Sequence, residues 1–135
     1  MSNNDESSGS TSRKAILILS ASHHLVGHPV SEVIKSDWEK EKARDVAEKF
    51  DNVGFTVDLT DVPGTLKALQ QTLQTRSWDG VMVGWCTRGH VEFTVLFEKM
   101  VAVIVRQTLL QPELKIMFCA GPDDLVETTI RNFPV

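Results

Sequence analysis

Apolar positions in this chain fall into short blocks that alternate between two spacings. Residues Lys14–Ser20, KAILILS, are continuously apolar from Ala15 to Leu19, which suits a central parallel strand covered on both faces. Residues 36–50, SDWEKEKARDVAEKF, carry Trp38, Val46, Ala47 and Phe50 at helical spacing, and Ser36 with Glu39 has the spacing of a capping box. That pattern predicts a helix ended by Asn52 to Gly54. In residues 55–62, FTVDLTDV, Phe55, Val57 and Leu59 alternate with polar neighbours, the signature of an edge strand with one wet face.

The two spacings repeat in the second half. Leu66, Leu69 and Leu73 mark a helix after Pro63 and Gly64, and DGVMVGW is a third strand opened by the turn dipeptide Asp79-Gly80. A long helix is expected over residues 91–110, LKIMFCA is a fourth strand, and GPDDLVETTIRNF opens a last helix with two acids, Asp123 and Asp124, in its first turn. Strict β-α alternation calls for an α/β domain with a parallel sheet, right-handed crossovers and helices on both faces. Four strands in so short a chain predict a flavodoxin-like three-layer domain with strand order 2-1-3-4, spanning residues 13–135.

Composition narrows the function. The net charge is -4 and the Lys and Arg residues are scattered among acids, which disfavours nucleic acid and anionic membranes as partners. Residues 1–12 are polar and Ser-rich, which predicts a disordered tail. The sequence has neither the apolar core of a signal peptide nor a run approaching a membrane span. Its two cysteines, Cys86 and Cys119, form no disulfide framework, so a cytoplasmic protein is expected.

Open parallel sheets bind ligands beyond the carboxyl ends of their strands, where strand order reverses. Between strands 1 and 3 that rule gathers Ser20, Ser22, His23 and His24 with Trp85, Cys86, Thr87, Arg88 and His90, and strand 4 adds Cys119. The segment 21–35, ASHHLVGHPVSEVIK, has no regular pattern and exceeds the usual connection length, so it is expected to cover the site as a lid. Arg88, before the long helix, would hold an anion. Cys86 beside it would have a lowered thiol pKa and act as nucleophile or acid/base, and His24 or His23 would move a proton. The bland alternatives are a surface ion pair for Arg88 and simple packing for both cysteines. Asp123 and Asp124 are better read as helix caps than as catalytic acids, and Asp61 is ambiguous.

His24 and His28 are four apart, but Gly27 and Pro29 argue against the helix that would make them a metal pair. No metal and no cofactor is expected. The dinucleotide fingerprint and the phosphate loop are absent, and the acidic positions of response regulators are occupied by Ser-Ala-Ser and Trp-Cys-Thr. The stretch SHHLVG, Ser22 to Gly27, is similar to the Asp-x-His-x-x-Gly of cobalamin-binding domains, with Ser in place of Asp. That likeness would make His24 the cobalt ligand. DGVMVGWCTRGHVEFTVLFEKMV together with GPDD resembles small flavodoxin-like, Rossmann-like single-domain α/β proteins. This resemblance covers about the last sixty residues and implies the fold but no activity.

Two functions fit these residues. One is an enzyme without redox cofactor, doing isomerase- or lyase-type acid/base chemistry on an anionic or carbonyl-containing metabolite. The other is a non-catalytic ligand-binding or interaction module. The long helix is apolar around most of its circumference, and the excess at Phe93, Phe97, Met100, Ile104 and Val105 predicts either a homodimer surface or a deeply covered central helix.

Overall fold

The computed structural model describes residues 13–134, so the expected tail of residues 1–12 lies outside the described residues. Four strands, β1 (Lys14–Ser20), β2 (Phe50–Thr56), β3 (Gly80–Val83) and β4 (Lys115–Phe118), form one sheet in the order β2-β1-β3-β4. All three pairings are parallel, as the alternation of elements predicts. Helices α1 (Ser22–Val26), α2 (Val30–Trp38), α3 (Val62–Gln74), α4 (Trp85–Arg88), α5 (Thr94–Gln107) and α6 (Leu125–Asn132) complete the domain.

Strand periodicity divides the core in two. Ala15, Leu17 and Leu19 of β1 join Val81 and Val83 of β3 against Leu69 and Leu73 of α3 and Leu96, Met100 and Ile104 of α5. Ile16, Ile18 and Met82 face the other way and pack against Val30 and Trp38 of α2 and Leu125 and Val126 of α6. Helices α3 and α5 therefore cover one face, and α2 and α6 the other. Because β1 is central, both its faces are buried, which is why its sequence is continuously apolar.

The segment between β1 and β2 departs from the expected boundaries. Residues 21–35 are not an irregular lid: they hold α1 and most of α2. Gly27, at φ 76°, supplies the left-handed residue that ends α1, and Pro29, at φ -58°, immediately precedes α2. The expected helix over residues 36–50 breaks after Trp38 into two short 3₁₀ turns, Glu41–Ala43 and Ala47–Lys49. Ser36 thus lies near the end of a helix and caps nothing. Phe50 begins β2 rather than ending a helix, and the strand runs through Asn52, Val53 and Gly54.

This misreading has a physical source. Trp38, Ala43 and Phe50 are all buried in the α2–α6 layer, so burial without a continuous helix mimics helical spacing. In the second half the long helix is shorter than expected, with a 3₁₀ turn at Val91–Phe93 before α5 begins at Thr94. Met100 and Ile104 are fully buried, and Phe93 and Phe97 are partly so. Met100, Ile104 and Phe97 therefore belong to the core side of the helix rather than to a dimer surface, Phe93 lies in the turn before it against His90, and Val105 is 49% exposed.

Candidate functional site

At the carboxyl edge of β1 and β3 lies a crevice with two parts. The outer part is a groove of about 330 Å³ walled by His28, Glu32, Val33 and Ser36 of the α2 region and by Pro122. The inner part, about 20 Å³, shares Val33 and Pro122 and reaches Ser20, Trp85 and Cys119. A space of that size admits a water molecule. The strand order reverses between β1 and β3, so the inner part lies at the switch point of the sheet, while the outer groove is walled by the α2 region and Pro122 alone.

Local geometry fixes the inner wall. Gly84 ends β3, and its N–H donates to Leu19 O at 2.8 Å. A Cβ at Gly84 would fall 2.7 Å from that carbonyl oxygen, so the close approach of the two chains requires glycine. Ser20 Oγ accepts the N–H of Ser22 at 3.1 Å, and Ser22 Oγ donates to His28 O at 2.7 Å. This pair of bonds folds the α1–α2 turn back on the end of β1. Trp85 lies with its ring centroid 6.4 Å from that of His90.

The cysteines are enclosed rather than presented. Cys86 is 3% exposed; burial pushes its thiol pKa up, against the opposing hydrogen bond from Ser20. Cys119 is also 3% exposed and is raised for the same reason. The lowered thiol pKa expected for Cys86 is thus reversed, because burial outweighs the polar groups near it. Thr87 is buried and donates to Gly84 O at 3.3 Å. Arg88 Nη2 donates to Cys119 O at 2.7 Å and its guanidinium lies 6.0 Å from the Phe118 ring centroid. That bond ties α4 to the end of β4 and accounts for part of the donor set that an anion would use.

The histidines divide between two carboxylates. His24 Nε2 stands 3.5 Å from Asp58 Oδ1, and the His23 ring meets the His24 ring edge-on at 5.3 Å. Asp58 follows β2, and its carboxyl is held below the usual range by the Thr60 hydroxyl and N–H, with the His24 charge adding to them. On the crevice side, His28 Nδ1 lies 3.7 Å from Glu32 Oε1. Neither His23 nor His24 lines the crevice.

Ser20, Trp85 and Cys119 therefore come together as expected at the sheet edge, with Cys86 behind Ser20. His23 and His24 lie instead beside Asp58, and Arg88 lies on the β4 side. Sequence reasoning passed over Asp58, Glu32, Ser36 and Pro122. The four-residue spacing of His28 and Glu32 carried no signal, because His28 lies before Pro29 and outside α2.

Among the described residues, no group of three or more His, Cys, Asp or Glu side chains comes together as a metal site. No described helix is long and apolar enough to cross a membrane. Comparison of the chain with protein-family models, curated proteins and solved structures gives no match in any of the three.

Proposed function

We propose that the domain is a small-ligand-binding module whose ligand enters the crevice beyond β1 and β3. The carrying observation is the groove itself: about 330 Å³, walled by apolar Val33 and Pro122 and by polar His28, Glu32 and Ser36. That size falls at the lower end of small-molecule sites, and the mixture of apolar walls with few polar groups is typical of them. Glu32 within the wall and Arg88 engaged with Cys119 O favour a neutral ligand over an anion. The ligand is a carbonyl- or hydroxyl-bearing molecule with an apolar body, hydrogen-bonded by His28 or Ser36.

Saturation-transfer NMR with a panel of small neutral ketones, amides and alcohols tests this reading. Binding is expected to the native protein and lost in Val33→Trp, which fills the groove from a partly exposed position. Absence of binders, or equal binding to the filled variant, overturns it.

A second reading, acid/base chemistry on a carbonyl compound, is favoured by the His24–Asp58 pair at 3.5 Å. Asp58 would orient the imidazole and stabilise its protonated form, leaving the other ring nitrogen to move a proton. Deuterium exchange at the α-carbon of a bound ketone, abolished by His24→Ala while affinity is kept, would support this reading over binding alone. The domain is also proposed to work as a homodimer joined through α5, since Val95 and Val105 on that helix are 60% and 49% exposed.

A further inference from the structure

The exposed face of α5 carries a pattern with a built-in two-fold match. Val91, Val95, Glu98, Ala102, Val105 and Leu109 are all exposed and follow one another at steps of 4, 3, 4, 3 and 4 residues. Within α5, from Val95 to Val105, this is the seam spacing of a two-helix coiled coil; Val91 in the preceding 3₁₀ turn and Leu109 just past the helix extend the line at its two ends. It runs opposite the buried stripe of Leu96, Met100, Ile104 and Gln107, so one helix has a face for the core and a second apolar face with nothing on it. Val91 and Leu109, at the two ends, are 89% and 80% exposed. Exposed apolar surface of this kind on a small domain, here broken only by Glu98, marks an interaction site.

The charges beside the seam select the occupant. Glu92, Lys99 and Arg106 flank it on one side at intervals of seven residues, and none of the three forms an ion pair among the described residues. Thr94, Val101 and Thr108 flank it on the other side and carry no charge. An antiparallel copy related by a two-fold axis at the level of Met100 sets Val91 against Leu109, Val95 against Val105 and Glu98 against Ala102. The same axis brings Glu92 opposite Arg106 twice, and places the two Lys99 side chains at the centre between the two Glu98 carboxylates.

We infer that two copies of this chain pair antiparallel through α5, with reciprocal Glu92–Arg106 ion pairs at both ends of an apolar seam. A two-fold contact must be self-complementary. Here the valines and leucines meet apolar residues, each Glu98 faces the short side of Ala102 with the central lysines beside it, and each Glu92 faces Arg106. An unrelated partner would have no reason to match this order.

This inference rests on the homodimer reading, and charge exchange at the seam separates the two. Sedimentation equilibrium of the full chain is expected to give twice the chain mass. Arg106→Glu or Glu92→Arg alone places like charges together and weakens the dimer by about tenfold or more. The double exchange E92R/R106E restores it, which also establishes that the single variants fold. Lys35→Glu on α2, on the opposite face of the sheet from α5, leaves the dimer unchanged. A native monomer at every concentration overturns both the homodimer reading and its geometry. A dimer indifferent to the single exchanges, not rescued by the double one, or weakened equally by Lys35→Glu, overturns the geometry alone.

Discussion

The carboxylate of Asp37, at the end of α2, accepts the backbone N–H of Val126 in the first turn of α6 at 3.0 Å. Its other oxygen lies 3.0 Å from Lys42 Nζ and 3.1 Å from Lys40 Nζ. Lys42 in turn reaches Glu127 at 2.9 Å. A fully buried acid thus closes the α2–α6 layer and does for α6 what a side chain at its own N-cap would do. Asp124, at that N-cap, turns instead to the Ala120 N–H and the Thr128 hydroxyl.

Asp37→Ala is expected to cost about 3 kcal/mol of unfolding free energy, because it strips Val126 of its acceptor and Lys42 of a partner. Burial alone would raise the Asp37 carboxyl, but the Val126 N–H and the two lysines outweigh it and hold the group below its ordinary value. A lowered carboxyl pKa adds stability above the unfolded value of about 3.9, and that contribution is lost as pH falls through the folded value. Urea unfolding of the native protein and of Asp37→Asn should therefore differ at neutral pH and converge as pH drops toward about 2. A difference that persists undiminished in acid would contradict the charged role.

For Asp58 the order of influences is itself testable. Thr60 donates to Oδ1 from its hydroxyl at 2.6 Å and from its N–H at 2.9 Å, while His24 acts from 3.5 Å. Carbon-detected NMR titration of the carboxyl should give a midpoint below that of a free aspartate. Thr60→Ala should move it upward by more than His24→Ala does, since the hydroxyl is the larger influence. The reverse order would assign the low value to the histidine.

Much of the fold was legible because burial on both faces leaves a plain mark. The apolar runs ILILS and VMV announce β1 and β3, and the Asp79-Gly80 turn sets the start of β3. Between β1 and β2 the mark misleads: Trp38 and Phe50 pack together at 5.7 Å from elements that share no helix. That a crevice lies at the β1–β3 edge followed from topology alone. Its outer wall did not, because reading 21–35 as irregular and Ser36 as the start of the next helix hid the helix that Glu32, Val33 and Ser36 share. The Asp58 partner of His24 was hidden for another reason, since a contact between residues 34 positions apart leaves no periodicity.

Two glycines should respond differently to substitution. At Gly84 the limit is space, with a Cβ 2.7 Å from Leu19 O on a central strand that cannot give way. Gly84→Ala should cost about 2 kcal/mol or more. At Gly27 space is open but φ is 76°, so alanine costs about 1 kcal/mol and asparagine less. Thermal unfolding of G84A, G27A and G27N should fall in that order of damage. Equal tolerance at Gly84 would mean that β1 and the α4 turn can separate.

The thiols offer the sharpest check on the chemistry of the sheet edge. A reactive cysteine needs its thiolate populated and reachable. Cys86 and Cys119 meet neither condition, as both are 3% exposed and both are raised by burial. Iodoacetamide at neutral pH should leave the folded protein almost unlabelled and modify both cysteines promptly in denaturant, as read by intact mass. Ser20→Ala removes the hydrogen bond that opposes burial at Cys86, so it should raise that thiol further and slow its alkylation at alkaline pH. Prompt single labelling of the folded protein at Cys86 would return the nucleophile to the crevice and favour covalent chemistry over binding.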